Sequence, residues 1–349
     1  MPELIDHLVR DGVIQNAALD ATNLSHTDLN GLTLRNVSLR GANLTGANLS
    51  KIVFQNCDLT GASLAHANLT EMQLIDSILC QANLQQVKAE GASASGSDLS
   101  QADMSNSVWS SAMFDQCRFN RTNMSGIVFN QAACFHCKFN DTDMSKAQLT
   151  QCTVPDTDLS SVRLIGANLD RAYLVNCNLT RQSFAQCDLT LTLFNRCRLD
   201  FADFSGMSLV STQFTNASLM GASFKGVKGL YVGMVAADLT EAHLQETHFS
   251  QSNFSDALLI KANADRACLD KCVLLRANCC ESSWVNVGLD SCNLSNAILT
   301  LSNWANSRLC LTNLHGVEEK SCNWEGATLK QVLRTDPLLY RAEKWVASV

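Results

Sequence analysis

The chain has 349 residues, of which 46% are hydrophobic and 17% charged, and its formal net charge is −7 at pH 7. This mild acidity, with no basic stripe, argues against direct nucleic-acid binding, and no apolar run approaches the roughly 20 residues of a membrane-spanning helix. The chain begins with MPELIDHLVRDG, which is not a signal peptide, and it contains 16 cysteines, so we expect free thiols and a cytoplasmic location.

The first 13 residues predict a short helical cap. In ELIDHLVRDG, Leu4 and Leu8 fall on one helical face, and Gly12 is a typical residue for a helix end. The ends of a repeat structure expose an open core and unpaired backbone groups, which have to be covered or used for association. We therefore assign residues 1–13 to an N-terminal cap.

Residues 14–330 repeat every five residues without an insertion or deletion. From Leu19 to Leu329 there are 63 units, whose central residue is Leu in 35, Phe in 12, Met in four and Trp in four. The residue two positions earlier is small, mostly Ala, Cys, Ser, Thr or Val. A period of five fits neither an α-helix nor a β-strand, so we expect the fold to come from stacking of the repeat itself, with both positions buried.

The units ANLTG, ANLSK, CDLTG and CNLTR resemble the pentapeptide-repeat family. The resemblance implies an all-β solenoid, a right-handed quadrilateral β-helix of about 16 coils with four pentapeptides each and short helical caps. Because protein interiors are close-packed, an undersized centre should then have a large neighbour 20 residues away. The undersized centres and their aromatic partners are Ala89 with Trp109, Ala94 with Phe114, Gly229 with Phe249, and Ala264 with Trp284.

Most cysteines occupy positions that the repeat places in the core. Ten hold the small inward position: Cys57, Cys117, Cys137, Cys152, Cys177, Cys187, Cys197, Cys272, Cys292 and Cys322. Cys134 and Cys279 are central residues, and four are expected to be outward or at corners: Cys80, Cys268, Cys280 and Cys310. The motif CFHC at 134–137 has the spacing of a redox or zinc site, but its two cysteines are expected to face inward.

The segment EAHLQETHF at 241–249 offers a second candidate for chemistry, because carboxylates and histidines can form a metal or acid–base site. However, His243 and His248 are five residues apart and should lie on adjacent faces. The sequence also lacks a phosphate-binding loop and a paired nucleophile and base. We therefore predict a non-enzyme with no catalytic residue, metal or cofactor.

Three central or inward positions break the pattern. Gln182 is large and polar for a small inward position, and GVKGLYVGM at 226–234 loses its centre at Gly229, which predicts an exposed apolar knob of Leu230 and Tyr231. Glu319 is a charge at a centre. Because burying an unpaired carboxylate is costly, we expect a bulge near 316–321 that turns Glu319 outward.

Residues 331–349 predict a C-terminal helical cap or association segment, with Asp336 as the helix N-cap and Pro337 in the first turn. Its apolar residues exceed what a small cap needs, so two alternatives are open: a lid over the last coil, or a contact with another protein or a second copy. The candidate partner-binding residues are Leu230, Tyr231, Leu338, Leu339, Tyr340 and Trp345.

Two functions agree with the family resemblance. One is a non-catalytic, rod-like scaffold or adaptor for protein partners, for instance within a bacterial secretion system. The other is a DNA-mimicking inhibitor or protector of DNA gyrase or topoisomerase. Residues 19–330 contain 28 acidic and 22 basic residues, far from the charge density of a duplex. Basic residues Arg118, Lys138 and Arg198 interrupt the predicted acidic column of Asp58, Asp98, Asp158 and Asp238. We therefore favour the scaffold.

Overall fold

The structure, a computed structural model, describes residues 11–343 and 345. The helical cap predicted for residues 1–13, including Leu4 and Leu8, lies outside the described residues up to position 10. The chain divides into two compact units. The first unit is Met1–Asn178 with Gln186–Asp188, and the second unit is Leu179–Ala185 with Leu189–Val349.

The first unit contains seven parallel strands of three residues each. They are β1 (Val13–Gln15), β2 (Thr33–Arg35), β3 (Val53–Gln55), β4 (Gln73–Ile75), β5 (Ser93–Ser95), β6 (Met113–Asp115) and β7 (Ala133–Phe135). The strands lie in chain order in one sheet, and each residue pairs with the residue 20 positions later, as Ile14 does with Leu34.

The second unit contains seven further parallel strands and one helix among its described residues. They are β8 (Ser208–Val210), β9 (Lys228–Leu230), β10 (His248–Ser250), β11 (Cys268–Asp270), β12 (Gly288–Asp290), β13 (Arg308–Cys310), β14 (Thr328–Lys330) and α1 (Pro337–Glu343). Within the described residues, no helix is long and apolar enough to cross a membrane.

Columns of single β-bridges give each coil its remaining sides. In the first unit, Ser38 bridges Asp58, and the neighbouring column joins Asn43 to Ser63, again 20 residues apart. Each unit is therefore a parallel β-solenoid with four short sides per coil, and the two units together contain about 16 turns. The predicted solenoid and its 20-residue coil are confirmed.

The corners of the coils are tight turns with one residue in the left-handed conformation. The Thr22 amide donates to the Leu19 carbonyl, and Ala21, with φ of 52°, holds the position at which a type II turn requires positive φ. Corner side chains lean toward the next coil. The Phe201 ring, for example, lies over Gly221, where an added Cβ would be 2.7 Å from the ring.

The frequent Asn or Asp before each central residue stabilises the following corner. The Asp98 Oδ1 accepts the backbone N–H of Ser100 at 2.9 Å, and the Asn43 Oδ1 accepts that of Thr45 at 3.1 Å. Asn43 also donates its amide to the Asn23 Oδ1 of the preceding coil at 3.1 Å. These side chains therefore make two kinds of hydrogen bond. One stabilises the adjacent turn, and the other joins neighbouring coils.

Large central residues stack along the core of each unit. The Phe204 ring lies 4.8 Å from the Phe184 ring and 4.9 Å from the Phe224 ring, nearly parallel to both. At Gly229 the predicted compensation is confirmed, because an added Cβ would lie only 2.2 Å from Phe249 Cδ1. The aromatic ring occupies the volume that the missing side chain leaves empty.

The irregular positions behave differently from one another. Gln182 stays buried in its inward position. Glu319 is exposed and paired with Arg334 at 3.1 Å, but the predicted bulge is wrong, because Glu318 keeps its regular bridge to Ile298. The carboxylate reaches solvent because no later coil covers this centre.

Candidate interaction surfaces

The cysteines and the histidine of the CFHC motif point in opposite directions. Cys134 and Cys137 are buried, whereas the His136 ring points outward and lies 2.9 Å from Asp115. In the part of the chain that the structure describes, no group of three or more His, Cys, Asp or Glu side chains is arranged to hold a metal ion.

The histidines and carboxylates of 241–249 are also separated. His243 bridges Ser223 and Asn263 on one side of the solenoid, and His248 begins strand β10 on the next. Glu246 instead pairs with Arg266 at 2.7 Å, and this hydrogen bond lowers the pKa of the Glu246 carboxyl. Glu246 therefore contacts a basic residue of the next coil and neither histidine.

None of the 16 cysteines forms a disulfide. Of the twelve predicted to face inward, ten are buried, and Cys187 and Cys322 are half-buried. Burial raises the pKa of the Cys272 thiol to about 12, so this group stays neutral near pH 7. The four cysteines predicted to be outward or at corners are half-buried.

The predicted acidic column is partly neutralised by adjacent basic residues. Asp58 pairs with Arg40 at 3.0 Å, and Asp98 pairs with Arg118 at 3.7 Å. Partial burial raises the pKa of Asp58, but hydrogen bonds from Thr60 and the Arg40 guanidinium outweigh burial and lower that pKa below its usual value. The column therefore presents alternating charge rather than a continuous acidic stripe.

Two predicted partner-binding residues, Leu230 and Tyr231, lie on an exposed corner of the second unit. Tyr231 is 51% exposed, and Leu230 pairs in the sheet with Val210 of the preceding coil. Leu191, two coils before Tyr231 at the same corner position, is also exposed, and its backbone N–H donates to the Val210 carbonyl. These four residues form an apolar corner ridge that is longer than the predicted knob.

The C-terminal helix forms where the sequence predicts it. The Asp336 carboxylate accepts the backbone N–H groups of Leu338 and Leu339, at 2.8 and 3.2 Å, so it caps α1 as expected. Leu338 is 76% exposed and Trp345 75% exposed, whereas Tyr340 is half-buried.

The described part of α1 runs back along a corner of the solenoid. Asp336, at its start, donates its backbone N–H to His315, and Glu343, at its end, accepts from Asn296 at 3.4 Å. His315 and Asn296 belong to successively earlier coils, so α1 folds back along a corner instead of crossing the last coil. A groove of about 410 Å³ lies between α1 and this corner.

Among the described residues, no later coil stacks on the last coil, residues 317–336, and we call its outer side the open end. The inward residues of this coil are only half-buried: Cys322, Trp324, Ala327, Leu329 and Val332. Trp304 and Leu309, the corresponding residues one coil earlier, have no exposed surface. Strand β14 lies at the edge of its sheet, so its outer backbone groups have no strand partner among the described residues.

We call the last coil together with α1 and Trp345 the C-terminal end. It brings together Leu338, Leu339, Tyr340 and Trp345 of the predicted set, but Leu230 and Tyr231 lie on the separate corner ridge. Sequence reasoning missed Trp324, Leu329 and Val332 as surface residues. The available signal was their place in the last coil, which no later coil covers.

Five-residue units stacked four to a coil define a class of β-solenoid repeat protein. The chain belongs to the pentapeptide-repeat family. The family description "Pentapeptide repeats (8 copies)" matches residues 17–56, 57–93, 95–131, 197–228 and 237–274. A related description, "Pentapeptide repeat region", matches residues 129–204.

Solved structures with the same kind of fold include HetL, a pentapeptide repeat protein involved in heterocyst differentiation regulation from the cyanobacterium Nostoc sp. It is 17% identical, with 96% of this chain and 97% of that chain covered and a TM-score of 0.25. A trypsin-treated form of QnrB1, a plasmid-mediated fluoroquinolone resistance protein, is 15% identical over 50% of this chain and 90% of that chain, with a TM-score of 0.34. A comparison with curated proteins finds no match.

Proposed function

We propose that the protein is a non-catalytic interaction scaffold that binds another protein, or a second copy of itself, through the C-terminal end. The observation that carries this proposal is the open last coil, whose inward residues Trp324 and Leu329 are half-buried instead of covered. An apolar core next to an unpaired strand edge favours pairing with another polypeptide. Leu338 and Trp345, on the segment that folds back along the corner, are exposed apolar residues as well.

The exposed groups of the C-terminal end are better suited to binding a polypeptide than a nucleic acid. Its edge offers backbone hydrogen bonds along β14, and its centre offers apolar side chains. Arg334, which could contact a phosphate, is already held by both carboxylate oxygens of Glu319, at 3.1 and 3.2 Å.

A non-catalytic role is supported by the state of the groups that could do chemistry. The cysteines are buried or half-buried, and the acid–histidine pairs suggested by the sequence lie on separate sides. Free thiols also fit a reducing compartment such as the cytoplasm. Participation in a bacterial secretion system stays a prediction from the family resemblance.

A pair of Leu-to-Glu variants tests the proposal. Leu329→Glu places a charge at the open end, and Glu319 shows that the last coil tolerates a carboxylate at a central position. We expect this variant to fold but to lose association, because the charge would be desolvated on binding. The matched control, Leu258→Glu, changes an exposed leucine on an earlier coil and should leave association unchanged.

Association is measured by sedimentation of the purified chain for self-association and by co-purification from the native host for another partner. Circular dichroism checks that both variants keep the fold. If Leu329→Glu keeps every partner that the unmodified protein has, or if the unmodified protein neither self-associates nor retains a partner, the C-terminal end is not the binding surface.

The alternative function, DNA mimicry, is disfavoured by the ion pairs that interrupt the acidic column. Arg40 and Arg118 lie against Asp58 and Asp98, so a DNA-binding protein would meet mixed charge there. We expect the purified protein to leave gyrase supercoiling activity unchanged, with and without a quinolone. Inhibition or protection at a stoichiometric concentration would favour the mimic instead.

A further inference from the structure

Tryptophan side chains at the centre of the last three coils form a stack that ends at the open end. The Trp284 and Trp304 rings are nearly parallel, with centroids 4.9 Å apart, and the Trp324 ring follows 5.3 Å from Trp304. Trp304 has no exposed surface because Trp324 covers it, whereas Trp324 is only half-buried. The last indole therefore lacks the aromatic neighbour that covers each of the two before it.

The backbone of the last coil also lacks partners on its outer side. One coil earlier, the Trp304 N–H donates to the Asn323 carbonyl at 2.7 Å, and the Asn323 N–H donates to the Ser302 carbonyl at 3.0 Å. The corresponding groups of the last coil, the Trp324 N–H and the Cys322 carbonyl, have no backbone partner among the described residues. A segment running parallel to the last coil would pair with both groups, as one coil pairs with the next.

Only two of the four sides of the open end have an apolar central residue. Trp324 and Leu329 are the central residues of these two adjacent sides, and Glu319 and Arg334, which pair at 3.1 Å, are those of the other two. Covering the apolar sides removes hydrocarbon surface from water, whereas covering the ion pair would desolvate two charges. The open end is therefore better suited to a segment of two repeat units than to a complete coil.

An earlier coil shows which segment fits on two such sides. Trp284 and Leu289 are the same pair of central residues, and the segment SNWANSRL at 302–309 lies over them in the next coil. With that segment in place, Trp284 is 1% exposed and Leu289 has no exposed surface. Trp324 and Leu329 repeat the pair two coils later, with no covering segment among the described residues.

The side chains of the covering segment follow a simple pattern. Trp304 stacks on the indole of the preceding coil, and Leu309, five residues later, is fully buried. Ser302 and Ser307 stand two positions before them, and the Ser302 hydroxyl accepts the Trp304 indole N–H at 2.6 Å. A small residue at these positions leaves room for the large side chain beside it. The order that fits is small, any, aromatic, any, any, small, any, aliphatic.

We propose that the open end binds an extended polypeptide segment with this order of residues. The segment runs parallel to the last coil, pairs with the free edge of β14 and stacks its aromatic ring on Trp324. This inference rests on the proposed function, because it uses the same surface, and it adds the sequence that the partner carries. The partner is a protein that exposes two repeat-like units, which continue the solenoid on its two apolar sides.

A peptide from this chain is the probe. It comprises residues 300–312 with Cys310→Ser, to prevent oxidation, and carries a fluorescent label. The control peptide has the same composition but exchanges residue 303 with 304 and residue 308 with 309, which turns both large side chains to the opposite face. Fluorescence anisotropy with the purified full-length protein measures both dissociation constants. We expect the native order to bind at least about tenfold more tightly than the exchanged order.

Protein variants locate the bound peptide. Leu329→Glu should weaken binding of the native-order peptide at least about tenfold, because the carboxylate would be desolvated, and Leu258→Glu should leave binding unchanged. Equal binding of the two peptides, or equal binding to folded Leu329→Glu, overturns the inference. The peptide comparison with the unmodified protein decides if Leu329→Glu does not fold.

Absence of binding up to a concentration of about 1 mM also overturns the inference. Sedimentation of the same samples then identifies the alternative occupant, because a protein that dimerises without binding the peptide uses a second copy. If Leu329→Glu loses a co-purified partner while the unmodified protein binds neither peptide, the proposed function stands and only the partner sequence is wrong. If the unmodified protein also has no partner and does not self-associate, both fail.

Discussion

A tryptophan at a central position needs a hydrogen-bond acceptor as well as space, because its indole N–H becomes buried. The repeat supplies the acceptor from the small inward residue two positions earlier. The Trp284 Nε1 donates to the Ser282 hydroxyl at 2.7 Å, and the Trp304 Nε1 donates to Ser302 at 2.6 Å. Trp324 has Cys322 at that position, and its Nε1 has no partner among the described residues.

This pattern predicts opposite effects for two substitutions. Ser282→Ala should lower the free energy of unfolding by about 1–3 kcal/mol, because it leaves a buried indole N–H without an acceptor. Cys322→Ser should raise it by about 0.5–1.5 kcal/mol by supplying the acceptor that Trp324 lacks. Urea unfolding, followed by tryptophan fluorescence, measures both. Changes of the same sign would contradict the pairing.

A second residue-scale prediction concerns acid. Because the pKa of Asp58 is lowered in the folded state, its stabilisation is complete above the unfolded-state pKa of about 3.9 and is lost as the pH falls through the lower folded value. Asp58→Asn keeps an acceptor for the Thr60 N–H but not the charge. The variant should therefore be less stable at pH 7, by less than about 1 kcal/mol, and the difference should be smaller at pH 3, below the unfolded-state pKa. Urea unfolding at both pH values measures it, and a constant difference would refute the assignment.

At the scale of the element, strands of neighbouring coils pack together because a large side chain on one strand lies opposite a small residue on the next. Gly229 and Phe249 are opposite residues of β9 and β10, and the ring fills the space beside the glycine. Gly229→Ala should cost about 1–3 kcal/mol, because the new methyl would overlap the ring.

A double-mutant cycle isolates this fit. Phe249→Leu makes room for the methyl group, so adding it to Gly229→Ala should recover part of the lost stability, although each single change is destabilising. Denaturant unfolding of the four proteins gives the coupling free energy. Additive effects would show that the two positions do not share one packing volume.

The position of a cysteine in the repeat, inward or outward, predicts the reactivity of its thiol. Cys272 is buried with its pKa raised to about 12, so it should resist a bulky alkylating reagent at pH 8. Cys310 is half-buried on the outer face of β13 and should react first. Mass spectrometry of digests after brief labelling distinguishes the two. Equal labelling in the folded protein would contradict the assigned faces, and equal labelling in urea is the control.

At the scale of the whole molecule, the character of the C-terminal end predicts how salt affects association. Its half-buried core residues Trp324, Leu329 and Val332 are apolar. Binding through them should persist or strengthen between about 0.05 and 0.5 M NaCl, whereas charge-driven binding weakens as salt screens it. Sedimentation or co-purification across this range measures the trend. A steep loss of binding with salt would point to a charged surface elsewhere on the chain.

The sequence by itself determined the repeat, the inward positions and the 20-residue coil. It could do so because each coil contacts its neighbours through positions that the period fixes, so Gly229 could be matched with Phe249 by counting. It also determined where α1 starts, since Asp336 and Pro337 are local signals.

Only the tertiary structure decided how the C-terminal end is arranged. The direction of α1 depends on His315 and Asn296, and their contacts with Asp336 and Glu343 join residues 21 to 47 positions apart, outside the 20-residue register. Glu319 is exposed for a similar reason, since the repeat pattern describes how coils cover one another and carries no information about a coil that nothing covers. The five-residue repeat predicts contacts that recur in every coil. The contacts of α1 at the C-terminal end each occur once in the chain, so the repeat does not predict them.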